Sequence, residues 1–565
     1  MPEESVRLCA DEPNDSGLER AGFGALVALL LAPVLAHGLW RPLVHVFGPA
    51  GSAGRVTASA LAIGVVVALV RHLRPAGPPW RPLLLGGLLA VGASLGSSLG
   101  LAGLVTLLAV AGALAGLVPW LSSRLPAAFD GLAARHKVLT TLYLVVALAS
   151  VASVARLSIF IGDPSRSDLT MLPGDRFVET HSCLTAYARA ISLARRGVDN
   201  LYADHWWYGS NGLPPMPAGD APPYPPFSLD NFSYPPAFLL VAASLAPLEG
   251  DFAAQRALWF GLNGLWLAVG LWVVARFIDG PRAHRVLLLA PLFFGSLPIL
   301  ITLQIGNFQL AAVTFALVAM VALERGRAAT GGALFALTIL AKISPGILGV
   351  VLLAQRRFRD AALTAAFGVV LLALAVLLFG RDPMVSFVTY ALPRLNSGAA
   401  VPFMDTPSGI LTNQSPFGVV FKLRLLGLDV GDPWRLAPRI AHAYTLALVL
   451  LATLAARRPG DRRERAVTWM SLLVLSALQS PFCPAYATLG LLWATTLLAV
   501  EVRRLLGAMG LIALWLMILV VPPWLSVEVR VVQSMVQTAV ILGVCGWLVA
   551  RAPRGPDASS PAPVS

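Results

Sequence analysis

Apolar residues along this chain fall in uninterrupted runs separated by short polar linkers. Runs such as Val138–Ile161, Ala361–Phe379 and Val531–Ala550 have the length, roughly 17–25 residues, that carries a helix across about 30 Å of hydrocarbon. The pattern predicts spans near 24–47, 56–72, 82–98, 101–120, 138–161, 257–278, 286–302, 308–324, 361–379, 437–456, 466–480, 485–500, 505–521 and 531–550. Two apolar runs resist this treatment. Ala237–Leu248 makes only ~18 Å of helix. Thr330–Ala354 is long enough, but arginines flank both its ends. A single crossing would send Arg356, Arg357 and Arg359 to the far side and invert everything after them. Pro345 offers a break in the middle. The run is therefore expected to form a hairpin of two half-length helices with Lys342 near its deep tip. The expected fold is an all-α polytopic membrane protein with about 14 transmembrane helices and two re-entrant half-helix segments.

Charge assigns the sides. Basic linkers at Arg74–Arg81, Arg124–Lys137, Arg276–Arg285, Arg325–Arg327, Arg356–Arg359, Arg457–Arg465, Arg503–Arg504 and Arg551–Arg554 are expected in the cytoplasm. The linkers around Gly51, Ser97, Gln304, Phe482 and Pro523 carry almost no positive charge and fall outside. So do two long polar segments, Gly162–Pro236 and Arg381–Arg435. No convincing inverted repeat of the secondary-transporter kind is present. Two large external segments set against compact cytoplasmic turns suit work done on the outer face.

Composition removes the soluble alternative. Of 565 residues, 57% are hydrophobic and 13% charged, against roughly 25% charged in soluble domains. The net charge of +13 does not indicate nucleic-acid binding, because the arginines sit in linkers and form no basic stripe interleaved with aromatics. The acidic N-terminus, Met1–Ala21, is not of the cleavable signal type. Cys9, Cys183, Cys483 and Cys545 are far apart and lack metal-ligand spacing. Cys183 and Cys483 both fall outside, where a disulfide is permitted, although distant unpaired cysteines are the commoner outcome.

Candidate chemistry gathers in the first external segment. It opens with Asp163, Asp168, Asp175, Glu179 and His181, then continues into an amphipathic helix over Thr180–Arg196 ended by Gly197. Its apolar positions share one face, the pattern of a helix lying along the membrane interface. A solvated loop and a surface helix without catalytic role would look the same. Trp206, Trp207 and Tyr208 could stack on sugar rings or belong to an interfacial belt. Tyr234-Pro235-Pro236 could be only a stiff entry into the membrane. Lys342 is different, since a lysine at depth is costly and usually faces an anion. A structural salt bridge or snorkelling is the less favoured alternative. Gln304, Asn307, Asn413, Gln414 and Ser415 add neutral polar groups at outer helix ends, where each could equally be a cap or turn.

The order of these pieces resembles glycosyltransferase family 87 of the glycosyltransferase-C superfamily. The resemblance rests on an acid after an apolar span and on the helix ending Arg196-Gly197-Val198-Asp199-Asn200-Leu201-Tyr202. It continues through Tyr234-Pro235-Pro236, Leu303-Gln304-Ile305-Gly306-Asn307, Ala341-Lys342-Ile343-Ser344-Pro345, Asn413-Gln414-Ser415 and Ser480-Pro481. It covers roughly residues 138–520, so 138–522 reads as a core of glycosyltransferase-C type. Residues 1–137 then form an N-terminal extension of four spans, and 523–565 a last span and tail. Two features depart from the family: its acid usually lies closer to the helix end than Asp175 does, and no histidine follows Ser480-Pro481.

The resemblance implies inverting transfer of mannose or arabinofuranose from a polyprenyl-phosphate donor to a glycan or glycolipid acceptor, at the external face of the plasma membrane. It implies Asp175 or Glu179 as the base, and Lys342 or Arg394 at the leaving phosphate. His181, Tyr234, Gln304, Asn307, Asn413, Gln414 and Ser415 would contact substrate. No cofactor is called for, and a divalent metal is left open. Nucleic acid is not an expected partner. The main alternative is a transporter or flippase of a lipid-linked glycan, which would place charges on several spans and show two related halves.

The charge pattern makes a direct prediction about sidedness. Cysteines introduced into 162–236 or 381–435 should react with a membrane-impermeant thiol reagent in intact cells, while those in 457–465 should be protected. Labelling of 457–465 from outside would overturn the scheme.

Overall fold

A computed structural model describes residues 153–210, 212–217, 223–278, 293–458, 460–484, 488 and 526–550. The regular elements among them are helical, and the described residues contain no strand. The helices that matter below are α1 (Arg176–Thr180), α2 (Leu184–Arg195), α3 (Phe252–Ile278) and α4 (Leu297–Ile305), followed by α5 (Gln309–Glu324), α6 (Ala328–Ala341), α7 (Ile347–Ala354) and α8 (Phe358–Phe379). The last four are α9 (Val419–Leu425), α10 (Pro433–Ala456), α11 (Arg462–Ala477) and α12 (Val527–Ala550).

Four of these, α3, α8, α10 and α12, are long and apolar enough to cross a bilayer. The pair α4 and α5, bent by 107°, makes a fifth if counted as one span. The sequence pattern treats these two as separate crossings, at 286–302 and 308–324. Of the other expected spans, those over 24–120 lie outside the described residues, as do those over 485–521 apart from residue 488, and 138–161 and 286–302 do so in part. The outward faces of α8, α10 and α12 are those of a membrane protein. Leu377 is 81% exposed and Leu446 72%, with Val369, Leu450 and Trp547 also facing outward. Contiguous exposed apolar surface of this kind is costly in water and costs little in hydrocarbon.

The chain divides into two compact units, residues 1–169 with 256–296 and residues 170–255 with 297–565. In the first, the Arg256 guanidinium bonds the Ile161 carbonyl at 3.2 Å and lies 5.1 Å from the Phe160 ring. The second holds everything described below.

There the run 330–354 is two helices, α6 and α7, interrupted at 342–346. α6 packs between α5 and α8, and the close approach requires two glycines. A Cβ on Gly331 would lie 2.6 Å from Leu323, and one on Gly332 would lie 3.2 Å from the Thr364 backbone nitrogen. The two ends of the hairpin are pinned together by Glu324 at the end of α5, whose side chain is 11% exposed. Its carboxylate accepts from Arg357, beyond α7, at 2.5 Å and from Arg465 in α11 at 2.6 Å. Arg357 also pairs with Asp360 at 2.7 Å. Three turns that the charge pattern assigns to one side therefore meet at a single carboxylate. α11 starts there with a capping box, Asp461 and Glu464 each accepting the other's backbone N–H.

The helix expected over Thr180–Arg196 begins later, as α2 at Leu184, because Thr180 instead ends α1 and His181 is extended between the two. α2 does not lie on the surface. Nine of its twelve residues are buried, because it packs against the short helical run Phe238–Leu248. It does end, as its pattern requires, at Gly197 in the left-handed region. The two polar segments hold each other. Arg394 makes two bonds to Asp204, at 2.8 and 3.1 Å, and also bonds the Tyr390 hydroxyl. Asn231 donates to the Ala400 carbonyl at 3.2 Å. Cys183, Cys483 and Cys545 are free and buried.

Lys422, in α9 within the 381–435 segment, is fully buried and its ammonium has no hydrogen-bond partner. Burial pushes its pKa down to about 7, while the unfolded chain keeps the ordinary value near 10.5. Between these limits the unfolded state binds the proton more strongly, so stability falls as pH drops from about 10 to about 7. Lys422→Met should remove this dependence and raise the melting temperature most at the lower pH, by on the order of a few kcal/mol of stability at neutrality. Thermal melts at pH 7 and pH 9 check it. A pH difference unchanged by the substitution would be the contrary outcome.

Candidate functional site

The tip of the α6–α7 hairpin is a lysine. α6 ends at Ala341 because Pro345 has no N–H to donate, and its ring would strike the carbonyl four residues back. Lys342 accordingly turns to extended geometry, its own N–H still bonded to the Thr338 carbonyl. Its Nζ sits 5.2 Å from the centre of the Tyr234 ring, within range of a cation–π contact. Among the described residues no carboxylate lies within 4.0 Å of it. The Ser344 hydroxyl, two residues on, is buried without a hydrogen-bond partner.

Tyr234 is held on several sides. Its hydroxyl bonds that of Tyr187 at 2.7 Å, and Tyr187 in turn accepts the Phe308 N–H at 3.2 Å. Tyr202 donates to the Tyr234 carbonyl at 2.9 Å, and the Phe238 ring stacks on Tyr234 at 4.5 Å. The Tyr-Pro-Pro element is thus a fixed aromatic wall beneath Lys342. It draws residues from α2 and from the turn ahead of α5 into one cluster.

Beside it stand His181, Cys183 and Asp230. His181 Nε2 lies 3.6 Å from Cys183 Sγ and 3.8 Å from Asp230 Oδ2. Asn307 Nδ2 donates to the same sulfur at 3.4 Å. Burial holds His181 below its ordinary pKa, with the nearby Asp230 opposing, and pushes the Cys183 thiol well above its own. Sequence reasoning singled out His181 and Asn307. It missed Asp230, a loop carboxylate with no spacing signal, and weighed Cys183 only as a disulfide half.

The remaining expected residues fall into three places. Gln304 ties the first segment to the end of α4, accepting the Met171 N–H at 2.8 Å and donating to the Val178 carbonyl at 2.6 Å. Within that tied stretch, Asp175 is exposed and caps α1 by accepting the Val178 N–H at 3.2 Å. Glu179 accepts the Gly174 N–H at 2.7 Å. Arg394 is the partner of Asp204 already described.

The third place is Asn413-Gln414-Ser415, all fully buried. Asn413 donates to the Pro481 carbonyl at 2.8 Å, while its oxygen accepts N–H groups of Ser415 and Cys483 at 2.9 and 3.0 Å. The Ser415 hydroxyl also donates to Pro481, at 2.7 Å. Gln414 faces α12, bonded to Gln537 and Thr538 at 2.9 and 2.6 Å. The Asn-Gln-Ser and Ser-Pro motifs, far apart in sequence, are one clamp in space. The clamp puts Cys483 close enough to Lys342 for the two to interact electrostatically.

The model of glycosyltransferase family 87 matches residues 232–481. The match supports assignment of that stretch to family 87, which implies a glycosyltransferase, and the described residues include four helices long and apolar enough to cross a membrane. The match contains Tyr234, Lys342, Arg394 and the whole clamp; Asp175, Glu179, His181, Cys183 and Asp230 precede it. No curated protein and no solved structure matches the chain.

Asn413→Ala would leave buried partners unpaired on both sides of the clamp, at about 1–3 kcal/mol for each group exposed in this way. The expected result is a lower melting temperature together with faster hydrogen exchange at the Cys483 amide. Unchanged exchange there would show that the turn is held by something else.

Proposed function

We propose that this protein transfers a sugar, mannose or arabinofuranose, from a polyprenyl-phosphate donor to a glycan or glycolipid acceptor at the external face of the plasma membrane. The observation that carries the reading is Lys342. It is a cation at a hairpin tip, set over a tyrosine ring and without a carboxylate partner among the described residues. A phosphate leaving group needs positive charge where its own charge develops, and Lys342 is free to supply it. The outward apolar faces of α8 and α10 offer a polyprenyl chain the surroundings it needs. Arg394, bonded to Asp204, serves the donor phosphate only if that pair opens.

Asp175 is proposed as the base, with Glu179 second. The acceptor hydroxyl gives its proton to the carboxylate as its oxygen bonds the anomeric carbon. The bond from that carbon to the phosphate oxygen breaks, and the electron pair leaves with the lipid phosphate. A single displacement of this kind inverts the anomeric centre. Asp175 is exposed and lies in the stretch that Gln304 ties to the Asn307 turn. His181, Tyr234, Asn307 and the 413–415 clamp line or support the substrate groove in this reading.

Single-turnover transfer with a short-chain polyprenyl-phosphate mannose or arabinofuranose separates the roles. Lys342→Gln should weaken donor binding and lower turnover by roughly 10²-fold or more. Asp175→Asn should keep donor binding and lose about 10²–10⁴-fold in rate. If Asp175→Asn is active and Glu179→Gln is dead, the base is Glu179. If Lys342→Gln retains both donor affinity and turnover, the lysine is structural and the reading fails at its main support.

A further inference from the structure

His181, Cys183 and Asp230 aim three different ligand atoms at one point. The imidazole Nε2 is 3.6 Å from the sulfur and 3.8 Å from the carboxylate oxygen, and all three atoms lie within 4.8 Å of one another. A direct histidine–carboxylate hydrogen bond needs about 2.7–3.2 Å, so 3.8 Å is too long for one. The 3.6 Å between Nε2 and Sγ is instead that of two ligands of one tetrahedral cation, and the Asp230 oxygen needs to close by only roughly half an ångström to join them. With a metal ~2.0 Å from nitrogen and ~2.3 Å from sulfur, the two ligands stand roughly 3.5 Å apart. We propose that these three residues bind one divalent cation of the zinc class, with a fourth coordination position left open.

The ligands are already held in place. The His181 backbone pairs with Ser228, and the Phe177 ring stacks on the imidazole at 4.4 Å. The Cys183 N–H donates to the Ile305 carbonyl at 2.8 Å. The Asp230 N–H donates to the Thr185 hydroxyl at 2.9 Å. One Asp230 oxygen accepts the Asn231 N–H at 2.9 Å, leaving the other directed at the imidazole. Asn307, donating to Cys183 Sγ, is the outer-shell contact that favours a thiolate ligand and orients it. Binding releases the thiol proton to solvent.

The donor set selects the ion. Magnesium and calcium take all-oxygen sites, whereas imidazole and thiolate favour zinc and its neighbours. Asp230, with 26% of its side chain exposed, connects the otherwise buried site to solvent. Lys342 lies close enough to Cys183 to interact with it electrostatically, so the ion would add a second positive charge beside the phosphate-binding lysine. The metal site itself does not depend on the sugar-transfer reading.

The test is metal content, measured without reference to activity. Full-length protein purified in detergent, with its affinity tag removed, is equilibrated with micromolar zinc, freed of unbound metal by gel filtration and assayed by mass spectrometry. About one zinc per chain is expected. Cobalt in place of zinc should give a sulfur-to-metal charge-transfer band and intense four-coordinate visible absorption. Cys183→Ser should abolish the charge-transfer band, and Cys483→Ala, at a buried cysteine outside the triad, should preserve it. If Cys183→Ser does not fold, Asp230→Asn at the solvent-facing ligand should lower zinc affinity at least tenfold in protein with a wild-type elution profile. Folded wild-type protein that retains no zinc, or zinc retained equally by Cys183→Ser and Asp230→Asn, overturns the proposal.

Discussion

Glu324 is the point on which this arrangement turns. A carboxylate almost out of solvent must be paired, and it takes one arginine from the turn after α7 and another from the start of α11. The first contact brings the two ends of the α6–α7 hairpin together, and the second ties α11 to the same place. α6 can then only rise and α7 return, and the residue between them is carried about 21 Å, the length of fourteen helical residues, to the opposite end. That residue is Lys342. The position of Lys342 is thus set by an ion-pair network at the far end of two helices. The Gly331–Gly332 pair makes the packing possible by letting α5 and α8 approach α6 together.

The site at the other end is assembled from chain segments that are distant in sequence. Tyr234 supplies the wall and Cys183 and His181 one side, while the turn at 481–483 is held in place by Asn413 and Ser415. Each of these buried polar groups answers the same requirement: in an interior without bulk water, an amide or hydroxyl left unpaired costs more than the residue contributes. Motifs that look like substrate contacts along the chain are in part the scaffold that satisfies its neighbours. Gln414, committed to α12, is the clearest case.

Much of this is legible in the sequence. Run length announced the membrane helices, because hydrocarbon thickness imposes a nearly fixed number of residues. Arginines at both ends of 330–354, with Pro345 between, announced an interrupted run, and the order of Tyr-Pro-Pro, Lys-x-x-Pro and Asn-Gln-Ser announced the family. The amphipathic stretch 180–196 was misread as a surface helix. Periodicity reports that one face is apolar but not whether the other face meets water or protein, and here protein covers nearly all of it.

Hydropathy, loop charge and motif order, which are local properties, were determined by the sequence alone: a membrane protein resembling a glycosyltransferase family, with Lys342 at the break in an apolar run. Convergence was not. That Asp230 comes to His181 and Cys183, that Lys342 stands over Tyr234, and that Asn413 clamps Pro481 are contacts between residues separated by roughly 50 to 110 positions. No periodicity encodes such pairs. They exist because packing the helices brings particular turns together, and because every polar group buried in doing so has to find its partner there.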